Sequence, residues 1–336
     1  MNLYLFPECA RLNSGYGIAV DFAYKMLLPN EDDLVVWYTN QNDIPYFHSS
    51  DIIIKKPSYK SLKRFLNLCF KRPSLEIKKE QLLFLRSFEF DVIYCDEVIF
   101  YRAIRELFPD KYIKVRFHNC YARIRDRKRL LNLKSDWKFN VNLNCFYKLE
   151  SEIFKDDNAE KIFLSEEDRT FYSLMTGRKD AVVWAFMPNM NIAYANRGSI
   201  LYKKKIVWYG GVSTHKKASL RYFIKEIFYR IHKRRLDIEF HLWGKGTSEF
   251  DDPSMHIYGH GYYIGTDIPL SGEALYINPD ILGGGVKLKL ISYIEAGVPF
   301  LSTPFGFEGY SYDLVDNKYC YVAEFEKWEN IILSLL

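Results

Sequence analysis

The fold is decided by the stretch GGGVKLK at residues 283–289, which is followed by AGVP at 296–299 and TP at 303–304. Glycines without side chains let a ligand approach the backbone, and the lysines that follow supply positive charge. An apolar helix then ends at Ala296-Gly297, and residues 298–301 form a short buried strand. This order predicts an α/β sheet that binds a phosphorylated ligand at the carboxyl ends of its strands. A glycine cluster is equally typical of an ordinary loop.

Length and composition fit a folded protein with two domains. The chain has 336 residues, of which 48% are apolar and 26% charged. No apolar run reaches the ~20 residues of a membrane span, and the start MNLYLF does not resemble a secretion signal. The six cysteines are scattered without a CxxC pair, which indicates reduced thiols and argues against metal binding through them. We therefore expect a cytoplasmic protein.

Positive charge is concentrated in the first half of the chain. The net charge is +5, but residues 55–134 contain 21 Lys or Arg and only 9 Asp or Glu. Such a local excess favours an anionic partner, and nucleic acid, anionic lipid and a phosphorylated acceptor all fit this description.

Apolar runs that read as strands alternate with helical patterns, which favours parallel sheets covered on both faces. The predicted strands are 3–6, 34–38, 51–54, 91–95, 113–118, 161–164, 182–186, 206–209, 239–243, 256–258, 274–277, 300–302 and 319–322. The predicted helices are 17–28, 60–71, 75–87, 98–107, 136–157, 167–175, 217–234, 287–296 and 325–335.

We expect two Rossmann-like doubly wound α/β domains that face each other across a cleft. The N-terminal domain is predicted to span 1–190, and the C-terminal domain 206–336. The linker is placed at 191–205, because the alternation fails across 187–205: Pro188, several asparagines and Gly198 are followed there by three lysines.

Three further strands end in glycine turns. Gly15 and Gly17 follow the first strand, Gly210 and Gly211 follow 206–209, and Gly244 follows 239–243. In each case the backbone is able to approach a ligand closely. Near the first turn the full GxGxxG fingerprint is absent, so a tight strand-to-helix connection explains it as well.

Lys216 and Lys217 stand just before a predicted helix, close to the Gly210 turn. They are suited to neutralise phosphate, although solvated lysines at a helix start are common.

His118 comes at the end of the strand 113–117, where it is able to donate hydrogen bonds to substrate oxygens or to cap the following turn. His256 and His260 are four residues apart in a non-helical context, so we reject a zinc pair. The sequence also lacks a P-loop, GxSxG, HExxH and DxD, so lysines and backbone amides would have to neutralise any diphosphate.

Several segments together resemble the GT-B-fold glycosyltransferases of the large retaining group that includes bacterial polysaccharide and lipopolysaccharide enzymes. The resemblance covers nearly the whole chain. It is carried by SGYG at 14–17, VRFHN at 115–119, the helix, strand and SEED turn across 149–168, IVWYGG at 206–211 and AGVPFLSTPFGFEG at 296–309.

The resemblance implies that a nucleotide-sugar binds the second domain and the acceptor enters from the first. It implies that Gly15 and Gly17 approach the donor diphosphate or sugar and that His118 contacts the sugar near the reaction centre. Lys216 matches the family's diphosphate-binding lysine, whereas Gly211 replaces the arginine usually paired with it.

The family's two signature carboxylates are absent, because Gly284 and Ser292 occupy their positions. We predict that Lys287 substitutes toward the phosphate and Glu308 toward a sugar or ribose hydroxyl. The predicted catalytic residues are His118, Lys216 and Lys287. The predicted donor-binding residues are Gly15, Gly17, Gly210, Gly211, Gly244, Gly283, Gly284, Gly285, Ser292 and Glu308.

The expected activity is transfer of a sugar from a nucleoside-diphosphate sugar to a hydroxyl acceptor, a growing surface glycan or a lipid-linked oligosaccharide, with retention and without a metal or other cofactor. Two alternatives share the fold: a non-catalytic sugar-nucleotide-binding subunit, which the missing carboxylates favour, and a sugar-nucleotide epimerase or hydrolase. Nucleic-acid binding through the basic half is not expected, since no reading motif is present.

A basic amphipathic segment indicates contact with the inner face of the membrane. In the predicted helix 60–71 an apolar stripe is flanked by cations, and the residues expected on the membrane or acceptor side are Lys60, Lys63, Arg64, Phe65 and Leu66. Four arginines and a lysine between 123 and 129 form a second basic cluster. A packed helix with a solvated basic edge is the alternative.

Overall fold

The computed structural model describes residues 1–8, 15–41, 44–57, 62–132, 137–198, 200, 202–263 and 268–336. The chain divides into two compact units, Met1–Ala185 and Phe186–Leu336. The predicted boundaries at 190 and 205 stay a prediction.

The first unit is built on one parallel sheet with the strand order β3-β2-β1-β4-β5-β6-β7. Its order reverses between β1 and β4, and this is where doubly wound sheets bind ligands. Its strands are β1 (Leu3–Phe6), β2 (Leu34–Tyr38), β3 (Ile52–Ile54), β4 (Ile93–Cys95), β5 (Ile113–Phe117), β6 (Ala159–Phe163) and β7 (Ala181–Val183).

These strands were predictable because parallel strands are buried on both faces and therefore read as continuous apolar runs. All five residues of β2, LVVWY, are buried. The helices of this unit are α1 (Gly15–Leu27), α2 (Leu62–Cys69), α3 (Tyr101–Leu107), α4 (Tyr121–Leu130), α5 (Trp137–Lys155) and α6 (Glu166–Thr176). The helix predicted at 75–87 is wrong in type, since Lys79–Ser87 form a 3₁₀ helix.

The SEED turn that carried part of the resemblance begins α6. Ser165 is the N-cap residue, and its side chain accepts a hydrogen bond from the backbone N–H of Asp168 at 3.2 Å. The helix ends at Gly177, whose φ of 73° is left-handed. Both signals are local, so the position of this helix follows from the sequence.

The second unit repeats the plan with the strand order β10-β9-β8-β11-β12-β13. Counted within the unit, this is the 3-2-1-4-5-6 order of Rossmann folds, and the order reverses between β8 and β11. Its strands are β8 (Lys205–Tyr209), β9 (Glu239–Trp243), β10 (Ile257–Gly261), β11 (Ala274–Asn278), β12 (Phe300–Ser302) and β13 (Cys320–Val322).

The helices of the second unit are α7 (Met190–Asn196), α8 (Thr214–Phe223), α9 (Tyr229–Arg234), α10 (Lys289–Glu295), α11 (Pro304–Phe307) and α12 (Phe325–Leu335). A π-helical segment, Ile224–Phe228, joins α8 to α9. The segment predicted as a linker contains most of α7. The Asn189 side chain caps this helix, and the Asn189 N–H donates to Glu295 at 2.8 Å.

Each unit has its own core. In the first unit one apolar cluster includes Leu5 and Phe117, and another includes Phe6 and Trp37. In the second unit the core is centred on aromatic side chains such as Trp208 and Trp328. Among the residues that the structure describes, no helix is long and apolar enough to cross a membrane.

Candidate functional site

In the first unit, the two glycines of the predicted turn after β1 lie in the first turn of α1. Gly15 is the first residue of this helix, and Gly17 is buried. Residues 9–14, which precede α1, lie outside the described part of the chain. The predicted donor contacts of Gly15 and Gly17 stay a prediction.

His118 lies beside the switch point of the first sheet and is held by a buried carboxylate. Its Nε2 is 3.1 Å from Oδ2 of Asp96, the first residue after β4. The other carboxylate oxygen, Oδ1, accepts hydrogen bonds from Arg116 at 2.7 Å and from the Tyr94 hydroxyl at 3.0 Å. Burial alone would raise the pKa of Asp96, but the charge of Arg116 and the contact with His118 bring the pKa below its usual value. Asp96 is thus an anion that orients the His118 ring.

Asp96 and Arg116 were missed as site residues. Arg116 was predicted only as part of a strand, although its side chain is completely buried. The available signal was a charged residue inside an apolar strand, since such residues are almost never buried without a partner.

In the second unit, the turns after β8 and β9 pack directly against each other. The Gly210 N–H donates to the carbonyl of Trp243 at 2.9 Å, and the Gly244 N–H donates to Gly261. A Cβ at Gly244 would lie 2.2 Å from the carbonyl oxygen of Gly210. Because these glycines have no side chains, the two backbones are able to approach each other closely. The ligand roles predicted for Gly210 and Gly244 stay a prediction, as does that of exposed Gly211.

A cavity of about 410 Å³ opens beside these two turns. Lys217, one of the two lysines expected near phosphate, lines it and forms an ion pair with Glu249. The remaining lining residues are Val212, Ser213 and Gly246. A space of this size accommodates a small ligand.

The stretch 283–289 follows β11 and ends at Lys289, the first residue of α10, at the switch point of the second sheet. Gly283 has φ 143° and Gly285 has φ 59°, conformations that a residue with a side chain rarely adopts. The Lys287 ammonium turns back onto this loop and donates to the carbonyl of Gly285 at 2.8 Å and of Gly284 at 3.4 Å. It also lies 4.5 Å from the Phe305 ring centroid. Lys287 therefore holds the loop and places positive charge on it.

A third lysine belongs to this cluster and was missed. The Lys289 Nζ lies 3.3 Å from Oδ2 of Asp280 and 5.1 Å from the Trp208 ring centroid. Burial lowers the pKa of Lys289, Asp280 opposes this, and repulsion from Lys216 and Lys287 adds to it; the net result is a pKa of about 8. The structure thus brings three ammonium groups and one carboxylate together at the carboxyl ends of β8 and β11. A lysine at a helix start gives no sequence signal of burial.

Ser292 and Glu308 occupy different elements near this cluster. Ser292 is on α10, and Glu308 directly follows α11; both are partly buried. Their predicted roles toward ribose or sugar hydroxyls, like that of Gly284, stay a prediction. Within the described residues, no group of three or more His, Cys, Asp or Glu is arranged to hold a metal ion.

On the first unit, α2 exposes its apolar side chains. Phe65 is 55% exposed and Leu66 39%, and Arg64 donates to the carbonyl of Pro57 at 3.2 Å. Leu62, the first residue of α2, and Phe70, which directly follows the helix, are each 70% exposed. Lys60 and the side chain of Lys63 lie outside the described part of the chain.

The second basic cluster forms α4 and is partly used within the unit. Arg123 pairs with Asp168 at 3.0 Å, and Arg125 contacts Asn144 at 3.0 Å. These two arginines therefore have partners within the unit, and the role expected for the whole cluster stays a prediction.

No protein-family model matches the chain, and no curated protein matches it. Solved structures do. The chain is similar to a sucrose-phosphate synthase (tll1590) from Thermosynechococcus elongatus, with a TM-score of 0.66 and 10% identity over 100% of this chain and 89% of that one. It is also similar to Anabaena Alr3699/HepE in complex with UDP, with a TM-score of 0.56 and 13% identity over 99% of this chain and 89% of that one.

The crystal structure of TarM aligns with a TM-score of 0.53 and 16% identity over 76% of this chain, which spans only 50% of TarM. These likenesses establish the class of fold: two Rossmann-like α/β domains, as in GT-B glycosyltransferases. The predicted fold of two doubly wound domains is confirmed.

Proposed function

We propose that this protein is a glycosyltransferase that moves a sugar from a nucleoside-diphosphate sugar to a hydroxyl acceptor. The observation that carries the proposal is the cluster of Lys216, Lys287 and Lys289 beside the 283–285 glycine loop at the switch point of a Rossmann sheet. A diphosphate is the ligand class that such a cluster best neutralises. A fold neighbour, HepE, was solved with UDP, which agrees with this choice.

The chemistry proposed for the cluster is stabilisation of the leaving group. When the bond between sugar and diphosphate breaks, negative charge develops on the phosphate oxygens. Lys216 and Lys287 lower the free energy of that charge because their ammonium groups are fixed before the reaction begins. We propose that no metal is required and that the departing phosphate accepts the acceptor proton, which corresponds to transfer with retention.

The first test is a thermal-shift screen with UDP, GDP and dTDP, followed by hydrolysis of labelled nucleotide-sugars. Binding to the folded state raises the unfolding temperature. Lys287→Ala should weaken the matching diphosphate by roughly 10- to 100-fold, the range of a charged hydrogen bond, and its nucleoside much less. Lys225, which is 83% exposed and paired with Glu226, provides the control Lys225→Ala. Equal loss of both ligands would contradict a phosphate role for Lys287.

A non-catalytic nucleotide-sugar-binding subunit is the second candidate, and it is favoured by Gly284 and Ser292 at the positions of the family's carboxylates. The two candidates separate in the hydrolysis assay. Nucleotide binding without turnover of any labelled nucleotide-sugar, with or without acceptors, would select the subunit.

We further propose a cytoplasmic location with reversible contact at the inner face of the membrane, where a glycan or lipid-linked acceptor would be presented. The exposed apolar side chains of α2 beside cations support this placement. Phe65→Ser with Leu66→Ser should reduce sedimentation with anionic liposomes at low salt. Leu174, which is 82% exposed on α6, offers the matched control Leu174→Ser. Binding that does not depend on lipid charge would rule the contact out.

A further inference from the structure

Lys289 has a buried ammonium group next to the residues proposed to meet phosphate. Its side chain is only 10% exposed, and its Nζ is out of contact with solvent. The Asp280 side chain beside it is 1% exposed. Burial raises the free energy of the charged form of a lysine, because it removes the water that stabilises the cation.

The charged groups that face Lys289 come from three elements. Asp280 belongs to the loop after β11 and favours the charged form. Lys216 on α8 and Lys287 in the glycine loop disfavour it by repulsion. The Trp208 ring, 5.1 Å away, offers the cation a weak attraction. The pKa of about 8 expresses this balance, so a substantial part of Lys289 is neutral in mildly alkaline solution.

We infer that this site binds its diphosphate together with a proton, which is held on Lys289. The inference rests on the proposed function and adds a coupling to it. A diphosphate brings two or three negative charges to Lys216 and Lys287, and these charges reverse the field that Lys289 experiences. Neutral Lys289 then takes a proton from the solvent, and its charge contributes to holding the ligand.

The sign of the pH dependence follows from linkage. Below a pH of about 8 Lys289 is already protonated in the free protein, so few protons are taken up when the diphosphate binds. Above it the free protein must acquire the proton, and affinity falls as pH rises until the pKa of the bound state is reached. Between pH 7 and 9 we expect the Kd to rise by about 5- to 10-fold.

Titration calorimetry with UDP at pH 8.0, in Tris and in HEPES, measures the coupling. The two buffers differ in ionisation enthalpy, so the difference in heat counts protons. The phosphates of UDP are ionised at this pH and contribute none. We expect the wild type to take up roughly half a proton per UDP. Lys289→Met should abolish the uptake and flatten the pH dependence of the Kd, and Lys225→Met should retain both.

A second variant keeps the test decisive if Lys289→Met does not fold. Asp280→Asn removes the carboxylate that favours the charged form, so the uptake should appear at pH 7.2, where the wild type shows little. Tight UDP binding with equal heats in both buffers would overturn this inference and leave the proposed function intact. Absence of binding by UDP, GDP and dTDP would overturn the proposed function and the inference with it.

Discussion

A buried charge determines the conformation of the side chains that surround it, and Asp96 illustrates this at the scale of one residue. Its two oxygens contact Arg116, Tyr94 and His118. Tyr94 lies on β4, Arg116 lies on the neighbouring strand β5, and His118 directly follows β5. Because a carboxylate accepts but does not donate, Nε2 of His118 carries the proton in this contact. The orientation and tautomer of His118 therefore depend on Asp96.

We expect Asp96→Asn to destabilise the protein by about 3–5 kcal/mol, because it leaves the Arg116 cation buried without its counter-charge. Urea unfolding followed by tryptophan fluorescence measures the change. Asp237→Asn is the control, since Asp237 pairs with Arg235 and Lys204 on the exposed surface and should matter little.

The double variant Asp96→Asn with Arg116→Met separates stability from chemistry. It should recover much of the stability and still show reduced sugar transfer, because a neutral amide oxygen holds the His118 ring more weakly than the carboxylate does. Full activity in this variant would show that Asp96 serves only as a counter-ion for Arg116.

The sequence revealed the charged cluster of the second unit only in part. Lys216 and Lys287 stand next to glycine turns, so their neighbours along the chain point to phosphate. Lys289 stands in the same stretch as Lys287, but no local signal shows that its ammonium group is buried. Its burial depends on Trp208, 81 residues earlier in the sequence, and on Asp280 in the preceding loop. Contacts of this kind require knowledge of how strands are ordered in the sheet.

At the scale of elements, the strands were predicted well and α4 was missed. Parallel strands are recognisable in a sequence as apolar runs. The helix α4, with the sequence YARIRDRKRL, has only two buried residues, Ala122 and Ile124, and therefore no such run. Its start depends on Glu150 of α5, whose buried carboxyl accepts from Tyr121 N–H at 2.8 Å and from Ala122 N–H at 2.6 Å. A helix capped from another element leaves no local mark in its own sequence.

Histidine pairing across strands was missed for the same reason. Along the sequence, the nearest histidine to His260 is His256, four residues away. In the sheet, His260 Nε2 lies 2.9 Å from His241 Nδ1 on the neighbouring strand β9. The register of β9 and β10 aligns His241 with Tyr258, two residues before His260, and shifts between Gly259 and Gly261. A single sequence does not supply this register.

The packing of the glycine turns after β8 and β9 against each other leads to a prediction about stability. Gly244→Ala should destabilise the protein by more than about 2 kcal/mol, because the new Cβ meets the Gly210 carbonyl and φ is +127°. Gly211→Ala is the matched control, since no atom lies within 4 Å of its Cβ position. Thermal unfolding of both variants tests this. Equal stability would show that the two turns do not pack as described.

At the scale of the whole molecule, each of the two units contains the elements that a folded domain needs. Each has a complete sheet and an apolar core of its own, and the three lysines with Asp280 all belong to the second unit. Since a folding unit needs its own core, residues 186–336 meet the physical condition for folding alone. The residues proposed to bind the diphosphate would then be intact without the first unit.

A chain of residues 186–336 should therefore unfold cooperatively, and UDP should raise its unfolding temperature. At a free UDP concentration of 100 times the Kd the stabilisation is about 2.7 kcal/mol, which corresponds to a rise of roughly 5–10 °C. A chain of residues 1–185 is the control and should show no rise, because its basic surface lacks the glycine loop and the lysine cluster. Scanning calorimetry of both chains with UDP and with uridine makes the comparison. If UDP stabilised residues 1–185 and not 186–336, the diphosphate site would have been assigned to the wrong half of the protein.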